Sequence, residues 1–334
     1  MLRIHFTLQD LARVRVAMLG PLAETQLGLN ALQRRDGTAL FGGWRECSGP
    51  RVGPDARDLA RFLAPPGTGL VDLFTLAGQA SSIDEGLDAL LHAAPERLRA
   101  EFDILPGVTR RRTPWLTAVT NRDRASLERF LQAFRACHRV TVAPYWERIQ
   151  QHLSAESDLC GKLMIEGGVG DVLSSLRPAA VWEPPVLEVP DYRAWLTDRD
   201  LHLSGRGLVL APSVFCGPTP HLFEPTDGEG EVLLIYPTLK DPVTASRIWS
   251  TTHSGHRHLV ALLGRTRAAV LMCLSNGHTT IELARALGIS PSGASEHATV
   301  LRNAGFITSR RHRNTVHHTL TKLGRSVLQG TTQP

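Results

Sequence analysis

The clearest hydrophobic pattern in the chain lies between residues 279 and 302, where two short runs of apolar residues recur at helical spacing. The first run is Ile281, Leu283, Ala284 and Leu287, and the second is Ala294, Ala298 and Leu301. Thr279 or Thr280 can cap the first predicted helix, and Gly288 can end it with a positive φ. Ser290-Pro291 then begins the second helix. Two helices joined by so short a turn predict a helix-turn-helix.

The second predicted helix carries mainly short polar residues on the side away from its apolar stripe. These outward residues are Ser292, Gly293, Ser295, Glu296, Thr299 and Arg302. Small side chains near the start of this face allow a helix to approach base edges in the major groove of DNA. The pattern therefore predicts a recognition helix, and its alternative is an ordinary helical hairpin inside a larger core.

A β-type pattern follows the two helices. Asn303-Ala304-Gly305 ends the second helix, and the segments Phe306–Thr308 and Thr315–Leu320 are predicted strands. Three arginines, Arg310, Arg311 and Arg313, crowd the turn between the strands. A hairpin tipped with arginines beside a recognition helix predicts a wing that contacts phosphates or the minor groove. The alternative is a solvated basic turn.

Upstream of residue 240 the hydrophobic period changes once. Residues 1–177 show mostly helical spacing after a short alternating strand at Leu2–Phe6, whereas residues 181–240 show a period of two. Gly205-Arg206-Gly207 is a predicted hairpin turn within the second stretch. The strand candidates there are Val186–Val189, Leu201–Leu203, Leu208–Leu210 and Val232–Tyr236. We predict an α+β fold, with a mostly helical N-terminal region, a small antiparallel sheet and a C-terminal winged helix-turn-helix domain.

These patterns divide the 334 residues into an N-terminal domain at 1–240, a linker at 241–254 and a winged helix at 255–334. The distribution of charge agrees with this division. Residues 251–334 contain nine Arg, one Lys and two Glu, a net charge of +8 in a chain whose net charge is +5. The positive charge is therefore local to the predicted helix-turn-helix, as a phosphate-binding module requires.

Five cysteines are scattered through the chain without a CxxC pair. This argues against a disulfide framework or a zinc ribbon and favours the reducing cytoplasm. No apolar run approaches the length of about 18 residues that spans a membrane. The start Met1-Leu2-Arg3 does not resemble a signal peptide. We expect a cytoplasmic protein with no membrane partner.

The stretch from Leu259 to Leu328 resembles the winged-helix domain of ArsR-type transcriptional regulators. The recognition segment of that family commonly runs S-x-S-x-x-S-x-H-L-x-x-L-R-x-A-G-L-[VI]. This chain offers Ser290, Ser292, Ser295, His297, Ala298, Leu301, Arg302, Ala304, Gly305, Phe306 and Ile307 in that order. The opening LRIHFTLQDLARVRVA, with FGGW at Phe41–Trp44, resembles the long N-terminal region attached to some of these regulators, whose function is uncharacterised.

The resemblance implies a sequence-specific DNA-binding transcriptional regulator that acts as a homodimeric repressor on double-stranded DNA. Its N-terminal domain is expected to dimerise or to sense a small-molecule effector. The local dimer interface implied by the family comprises Leu259, Val260, Leu262 and Leu263 together with the last helix, Leu323–Leu328. The expected DNA-contacting residues are Thr279, Ser290, Ser292, Gly293, Ser295, Glu296, His297, Thr299, Arg302, Arg310, Arg311 and Arg313.

Other chemistry has weaker support in the sequence. His253, His256 and His258 could bind a transition metal together with Cys273. Metal sensors of the family, however, usually carry a Cys pair in the first helix of the helix-turn-helix, where this chain has Glu282-Leu283-Ala284-Arg285. We therefore expect neither a metal nor a cofactor.

Catalytic motifs are also missing from the sequence. The glycine-rich run Glu166–Asp171 follows a predicted helix and lacks the Lys of a P-loop. No G-x-S-x-G elbow and no H-E-x-x-H pair occurs. We expect no enzyme activity, and the alternative is an enzyme-like N-terminal domain fused to an autoregulatory DNA-binding module.

Overall fold

The chain folds into two compact units. The first unit comprises Met1–Arg34 and Ser48–Thr238, and the second comprises Arg35–Cys47 and Leu239–Pro334. A computed structural model describes residues 1–64, 70–78, 80–93, 96–97, 100–101, 123–190, 198–225, 228, 230–250, 259–260, 262–274, 277–312 and 315–329. The chain thus leaves the first unit early, contributes a short segment to the second unit and returns.

The helices and strands alternate irregularly along the chain. In the first half they are β1 (Leu2–His5), α1 (Leu8–Leu11), β2 (Arg15–Val16), α2 (Pro21–Gln33), α3 (Thr38–Ser48), α4 (Pro54–Leu63), α5 (Phe74–Ala77), α6 (Ile83–His92), α7 (Arg124–Thr141) and α8 (Trp146–Glu166). They continue with α9 (Val169–Ser174), β3 (Val181–Glu183), β4 (Val186–Val189), β5 (Arg199–His202), β6 (Leu208–Ser213), β7 (His221–Phe223) and β8 (Val232–Pro237). The last elements are α10 (Pro242–Trp249), α11 (Arg265–Cys273), β9 (His278–Thr279), α12 (Thr280–Leu287), α13 (Pro291–Asn303), β10 (Ile307–His312), β11 (Thr315–Leu320) and α14 (Lys322–Gln329).

The first unit contains two four-stranded sheets, ordered β3-β4-β1-β5 and β2-β6-β8-β7. Strand β1 runs parallel to β5, and β2, β6 and β8 run parallel to one another. The predicted combination of helix and sheet followed by a winged helix-turn-helix is confirmed. The expected small antiparallel sheet at 181–240 is wrong in its pairing, because both sheets are mixed and recruit strands from residues 2–16. Parallel neighbours come from distant segments, so local alternation does not reveal them.

The predicted hairpin turn at Gly205–Gly207 is also wrong, because the flanking strands β5 and β6 belong to different sheets. Both glycines have positive φ, 89° and 80°. Their amides donate hydrogen bonds to Asp10 Oδ1 at 2.8 and 3.0 Å. Asp10 also accepts from the amide of Thr7 at the start of α1. The glycine turn therefore anchors α1 through a buried carboxylate.

Helix α2 is buried along most of its length, including its polar residues. The Gln26 amide group donates to the carbonyls of Leu63 and Val71 at 3.1 and 2.7 Å. The Asn30 amide group donates to the carbonyl of Ala64 at 3.2 Å. The bonds to Leu63 and Ala64 satisfy carbonyls at the end of α4, which helical hydrogen bonding leaves open. Buried amide side chains thereby hold α4 against α2.

Glu24 on α2 is a fully buried carboxyl group. Its Oε2 accepts a hydrogen bond from the Ser213 hydroxyl at the end of β6, at 3.1 Å. Burial raises the pKa of Glu24 to about 8, against the opposing effect of the Ser213 hydroxyl. Desolvation disfavours the charged form of an acid, so Glu24 is largely protonated at neutral pH.

The second unit joins α3 to the C-terminal elements through an aromatic cluster. Phe41 and Trp44 are buried, and the centroids of their rings lie 6.3 and 5.8 Å from that of Trp249 on α10. The Trp249 indole nitrogen donates to the Leu40 carbonyl at 2.7 Å. The sequence assigned residues 35–47 to the N-terminal domain at 1–240, whereas they belong to the second unit. An amphipathic pattern does not reveal which core a helix joins.

The expected linker at 241–254 contains helix α10 over Pro242–Trp249. Asp241 caps this helix by accepting from the amides of Val243 and Thr244, and Pro242 occupies its first turn. This is a standard start signal that the boundary prediction missed. The remainder of the predicted linker, from residue 251, lies outside the described residues, as do His253, His256 and His258.

Candidate nucleic-acid interface

The first helix of the helix-turn-helix, α12, is fixed at both ends by local sequence. The Thr279 hydroxyl accepts from the Glu282 amide at 3.3 Å, and Glu282 Oε2 accepts from the Thr279 amide at 2.7 Å. These reciprocal bonds form a capping box, and they hold the pKa of Glu282 below its usual value. Gly288 ends the helix in the left-handed conformation at φ 63°. Thr279 thus lies at the helix cap, as predicted.

The second helix, α13, starts at the predicted position. The Ser290 hydroxyl accepts from the Gly293 amide at 3.1 Å and lies 3.0 Å from the Ser292 hydroxyl. Pro291 takes the first helical position, where no amide hydrogen is needed. Ile289 packs partly buried against the core between the two helices. The short turn between α12 and α13 therefore lets both helices pack against the same hydrophobic core.

Helix α13 buries one stripe and exposes the other, as the sequence predicts. Ala294, Ala298 and Leu301 are almost completely buried. The expected DNA-contacting residues of this helix divide into exposed ones, which are Ser292, Ser295, Glu296 and Arg302, and half-buried ones, which are Gly293, His297 and Thr299. Ser292 and Ser295 have short side chains, so the start of the helix can lie close to a partner surface.

Glu296 stands on this exposed stripe. Within the described ranges it forms no ion pair with Arg302 or Arg285, the two partners that would have turned it away from a ligand. A carboxylate that faces a DNA duplex is costly unless it accepts a hydrogen bond, for which the cytosine amino group is the matching donor. Because neither arginine holds the Glu296 carboxylate, this group is available for contact with a base.

Sequence reasoning missed two residues on the same stripe. Val300 is 41% exposed, and Asn303 is exposed at the end of the helix. Together with Glu296 they follow the spacing i, i+4 and i+7, which places all three on one face. The prediction selected polar residues only and treated Asn303 as part of the helix end. The spacing alone could have identified both residues.

The wing is a three-stranded antiparallel sheet in the order β10-β11-β9. Arg310 lies opposite His317 in the register of β10 and β11, and the next residue, Arg311, points to the other face of the hairpin. Both arginines are exposed. Arg313 lies outside the described residues. The two described arginines therefore present positive charge on both faces of the wing rather than on one.

His318 connects the wing to the first helix of the helix-turn-helix. It is only 4% exposed, its Nδ1 lies 2.8 Å from the Ser309 hydroxyl, and its Nε2 lies 3.0 Å from the Thr280 hydroxyl. Burial, and then the nearby charges of Arg302 and His317, lower the pKa of His318. A neutral imidazole thus bridges β10 and α12, a role that no motif in the sequence indicates.

The histidines of the metal alternative, His253, His256 and His258, lie outside the described residues, so the structure leaves that alternative open. Among the described residues no group of three His, Cys, Asp or Glu side chains could hold a metal ion. Cys273 is buried in α11, and burial raises the pKa of its thiol to about 12.

Residues 264–309 match the family model for bacterial regulatory proteins of the arsR family. This segment is an ArsR-type helix-turn-helix. The match runs from Gly264 through α12 and α13 to Ser309, so the ArsR-type segment includes the predicted recognition helix and the first half of β10. Comparison with curated proteins and with solved structures found no match.

The ArsR-type segment indicates DNA binding and a role in the regulation of transcription. It covers neither the first unit nor the inserted helix α3. Among the described helices, none has the length and apolar character needed to cross a bilayer.

Proposed function

We propose that the protein is a homodimeric, sequence-specific transcriptional repressor of the cytoplasm, and that its first unit responds to a small-molecule effector instead of catalysing a reaction. The observation that carries this proposal is the exposed stripe of α13, with its short polar side chains, beside a wing that bears Arg310 and Arg311. Helix and wing supply different contacts, because side chains in the groove specify bases while arginines on phosphates position the protein.

Exposed leucines support the homodimer. Leu262 is 73% exposed and Leu323 is 52% exposed, and both belong to the segments that the family resemblance assigned to the dimer interface. One recognition helix reads only a few base pairs. A twofold axis that places two such helices about 34 Å apart would match one turn of B-DNA and double the sequence that is read.

The direct test is selection of binding sites by the full chain from a random double-stranded DNA library. We expect an inverted repeat whose half-sites are centred about one helical turn apart. Light scattering on the protein, alone and with the selected DNA, should give the mass of a dimer. Failure to enrich any sequence, or a monomeric mass with and without DNA, would contradict the proposal.

A pair of variants separates the recognition helix from general effects of charge. Ser295→Glu places a carboxylate on the exposed stripe of α13 and should abolish binding to the selected site. Ser154→Glu makes the same change at an exposed position of α8 in the first unit and should leave binding unchanged. Equal effects of the two changes on DNA binding would show that α13 does not contact DNA.

Repression and catalysis each need their own measurement. Transcripts of genes next to selected sites should rise when the protein is deleted from its host, and a fall would indicate an activator. Metabolite mixtures should be incubated with the full chain and analysed by mass spectrometry. We expect every metabolite to be recovered unchanged. Consumption of a metabolite would favour the alternative of an enzyme-like first unit.

A further inference from the structure

The first unit contains a small cavity between α2 and α4. Its volume is about 250 Å³, and apolar side chains form most of its wall, namely Leu29, Leu32, Val52 and Ala60. The Gln33 amide nitrogen lies 2.9 to 3.1 Å from the carbonyl oxygens of Leu29, Ala60 and Ala64, and its two hydrogens can bond two of them at once. Ala60 and Ala64 lie at the end of α4, so these bonds hold α4 against α2 beside the cavity.

The charged groups that line the cavity are two arginines, one helical turn apart on α4. Arg61 pairs with the exposed Asp58 carboxylate at 3.4 Å. Arg57 forms no ion pair within the described residues, and no carboxylate lines the cavity. An apolar wall with the Arg57 guanidinium at one side is complementary to a molecule that has an apolar body and an anionic end, because guanidinium binds carboxylate with paired hydrogen bonds.

We propose that this cavity binds a compact organic anion, a carboxylate attached to a single ring or a short branched chain. The size argument comes from the volume, which lies just below the range of about 300–1,000 Å³ that encloses drug-sized ligands. The apolar body packs against Leu32 and the edge of Val52, while Leu29 is fully buried in the wall. The carboxylate meets Arg57, and Arg61 approaches it by exchanging its exposed contact with Asp58.

The residues that line the cavity flank, in the sequence, the segment that the chain contributes to the second unit, so a bound ligand can influence that unit. Leu32 and Gln33 come just before the chain leaves the first unit after Arg34, and Gly49 and Val52 follow its return at Ser48. The two ends of the excursion are close together, since a Cβ built on Gly49 would lie 3.9 Å from Leu32 Cδ2. Between these ends lies α3.

Helix α3 supplies Phe41 and Trp44 to the aromatic core around Trp249. A ligand that fixes the separation of residues 32 and 49 therefore constrains both ends of a segment that is part of the second unit's core. This coupling rests on the proposed function, since it links the ligand to DNA affinity. Binding of a ligand in the cavity does not depend on the proposed function.

Ligand binding is tested on the full chain without DNA, by ligand-detected NMR. The probes are benzoate, phenylacetate, isovalerate and hexanoate, each compared with its neutral primary amide. We expect at least one acid to bind with a Kd of about 1 mM or lower, and about tenfold more tightly than its amide. No binding of any acid at about 10 mM, or equal binding of acids and amides, would overturn the proposal.

Variants locate the site. Gly49→Leu adds a side chain toward the cavity at a position where the new Cβ meets no atom closer than 3.9 Å, so the variant should fold and lose the ligand. Arg57→Gln should weaken acids about tenfold and leave the amides unchanged. The control Arg124→Gln neutralises an exposed arginine on α7, in the same unit, and should bind like the wild type. Unchanged acid binding by Gly49→Leu would place the ligand elsewhere.

Coupling is tested with the selected DNA site and the acid that binds most tightly. Saturating acid should change DNA affinity by about fivefold or more in the wild type and leave it unchanged in Gly49→Leu. An unchanged affinity in the wild type would overturn the coupling. If the protein bound no DNA at all, the proposed function would fail, while the NMR measurements would still decide whether the cavity takes an organic anion.

Discussion

The buried carboxyl group of Glu24 makes the stability of the first unit depend on pH in an unusual direction. The perturbation that reveals this is Glu24→Gln, which keeps the shape of the side chain and removes its charge. The amide oxygen of Gln can still accept from the Ser213 hydroxyl, which now lies 3.1 Å from Glu24 Oε2. The variant therefore removes the ionisation and retains the hydrogen bond.

The magnitude follows from the pKa, which is about 8 in the folded protein against an ordinary value of 4.5. Between these values the folded state binds more protons than the unfolded state, so stability is greatest below pH 4.5 and falls as pH rises toward 8. From pH 5 to pH 8 the wild type should lose about 3 kcal/mol through this group. Glu24→Gln should not lose this amount.

Hydrogen exchange of the α2 amides is the suitable measurement, because two units rarely unfold in one transition. The ratio of protection factors, Glu24→Gln over wild type, cancels the intrinsic pH dependence of exchange. This ratio should rise by about two orders of magnitude between pH 5 and pH 8. Other titrating groups act equally on both proteins and do not change the ratio.

Two results would refute the reasoning. A protection ratio that stays constant over the pH range would mean that Glu24 ionises with its ordinary pKa. A similar rise in Glu128→Gln, a change at an exposed glutamate of α7, would mean that the removal of any negative charge is sufficient.

Three further predictions concern the second unit. Replacing Arg310, Arg311 and Arg313 together by Ala should reduce the slope of log affinity against log salt by roughly one per lost phosphate contact per protomer. Glu296→Gln should lose discrimination at one base position, worth about 1–3 kcal/mol, in binding to a library of single-base operator variants. His318 has a lowered pKa, so the unfolding free energy of this unit should fall as pH drops below about 6.5, and less so in His318→Gln.

Each of these has a control or a contrary outcome. The control Arg267→Ala removes an exposed arginine of α11 and should leave the salt slope unchanged. A salt slope in the triple arginine variant equal to that of the wild type would reject phosphate contacts by the wing. A uniformly shifted profile for Glu296→Gln would mean that the residue orients its neighbours without reading a base. A wild-type loss of stability at low pH that persists fully in His318→Gln would assign it to another group.

The helix-turn-helix was predictable because its signals are local. The capping box of Thr279 and Glu282, the left-handed Gly288 and the Ser290 cap are each fixed by residues within one helical turn. The prediction that these helices form an ArsR-type segment is confirmed. Which of the twelve expected residues contact DNA stays a prediction.

The first unit was less predictable because long-range pairing and burial decide its form. The alternation at Leu2–His5 indicates a strand but not that Val186–Val189 and Arg199–His202 flank it. The aromatic residues Phe41 and Trp44 do not indicate in the sequence that their partner is Trp249, about 200 residues later. The acidic residue Glu24 gives no sign in the sequence that its carboxyl is buried.

The excursion of α3 also sets an order of events on the ribosome. Trp44 emerges about 200 residues before Trp249, its partner in the aromatic core. At synthesis rates of about 5–20 residues per second, the helix waits on the order of 10–40 s for that partner. The first unit completes its last strand, β8, before Trp249 is made. A helix made early thus enters a core that is completed only after the first unit has been synthesised. If residues 239–334 were expressed alone, Trp249 would lack the rings of Phe41 and Trp44 that pack against it.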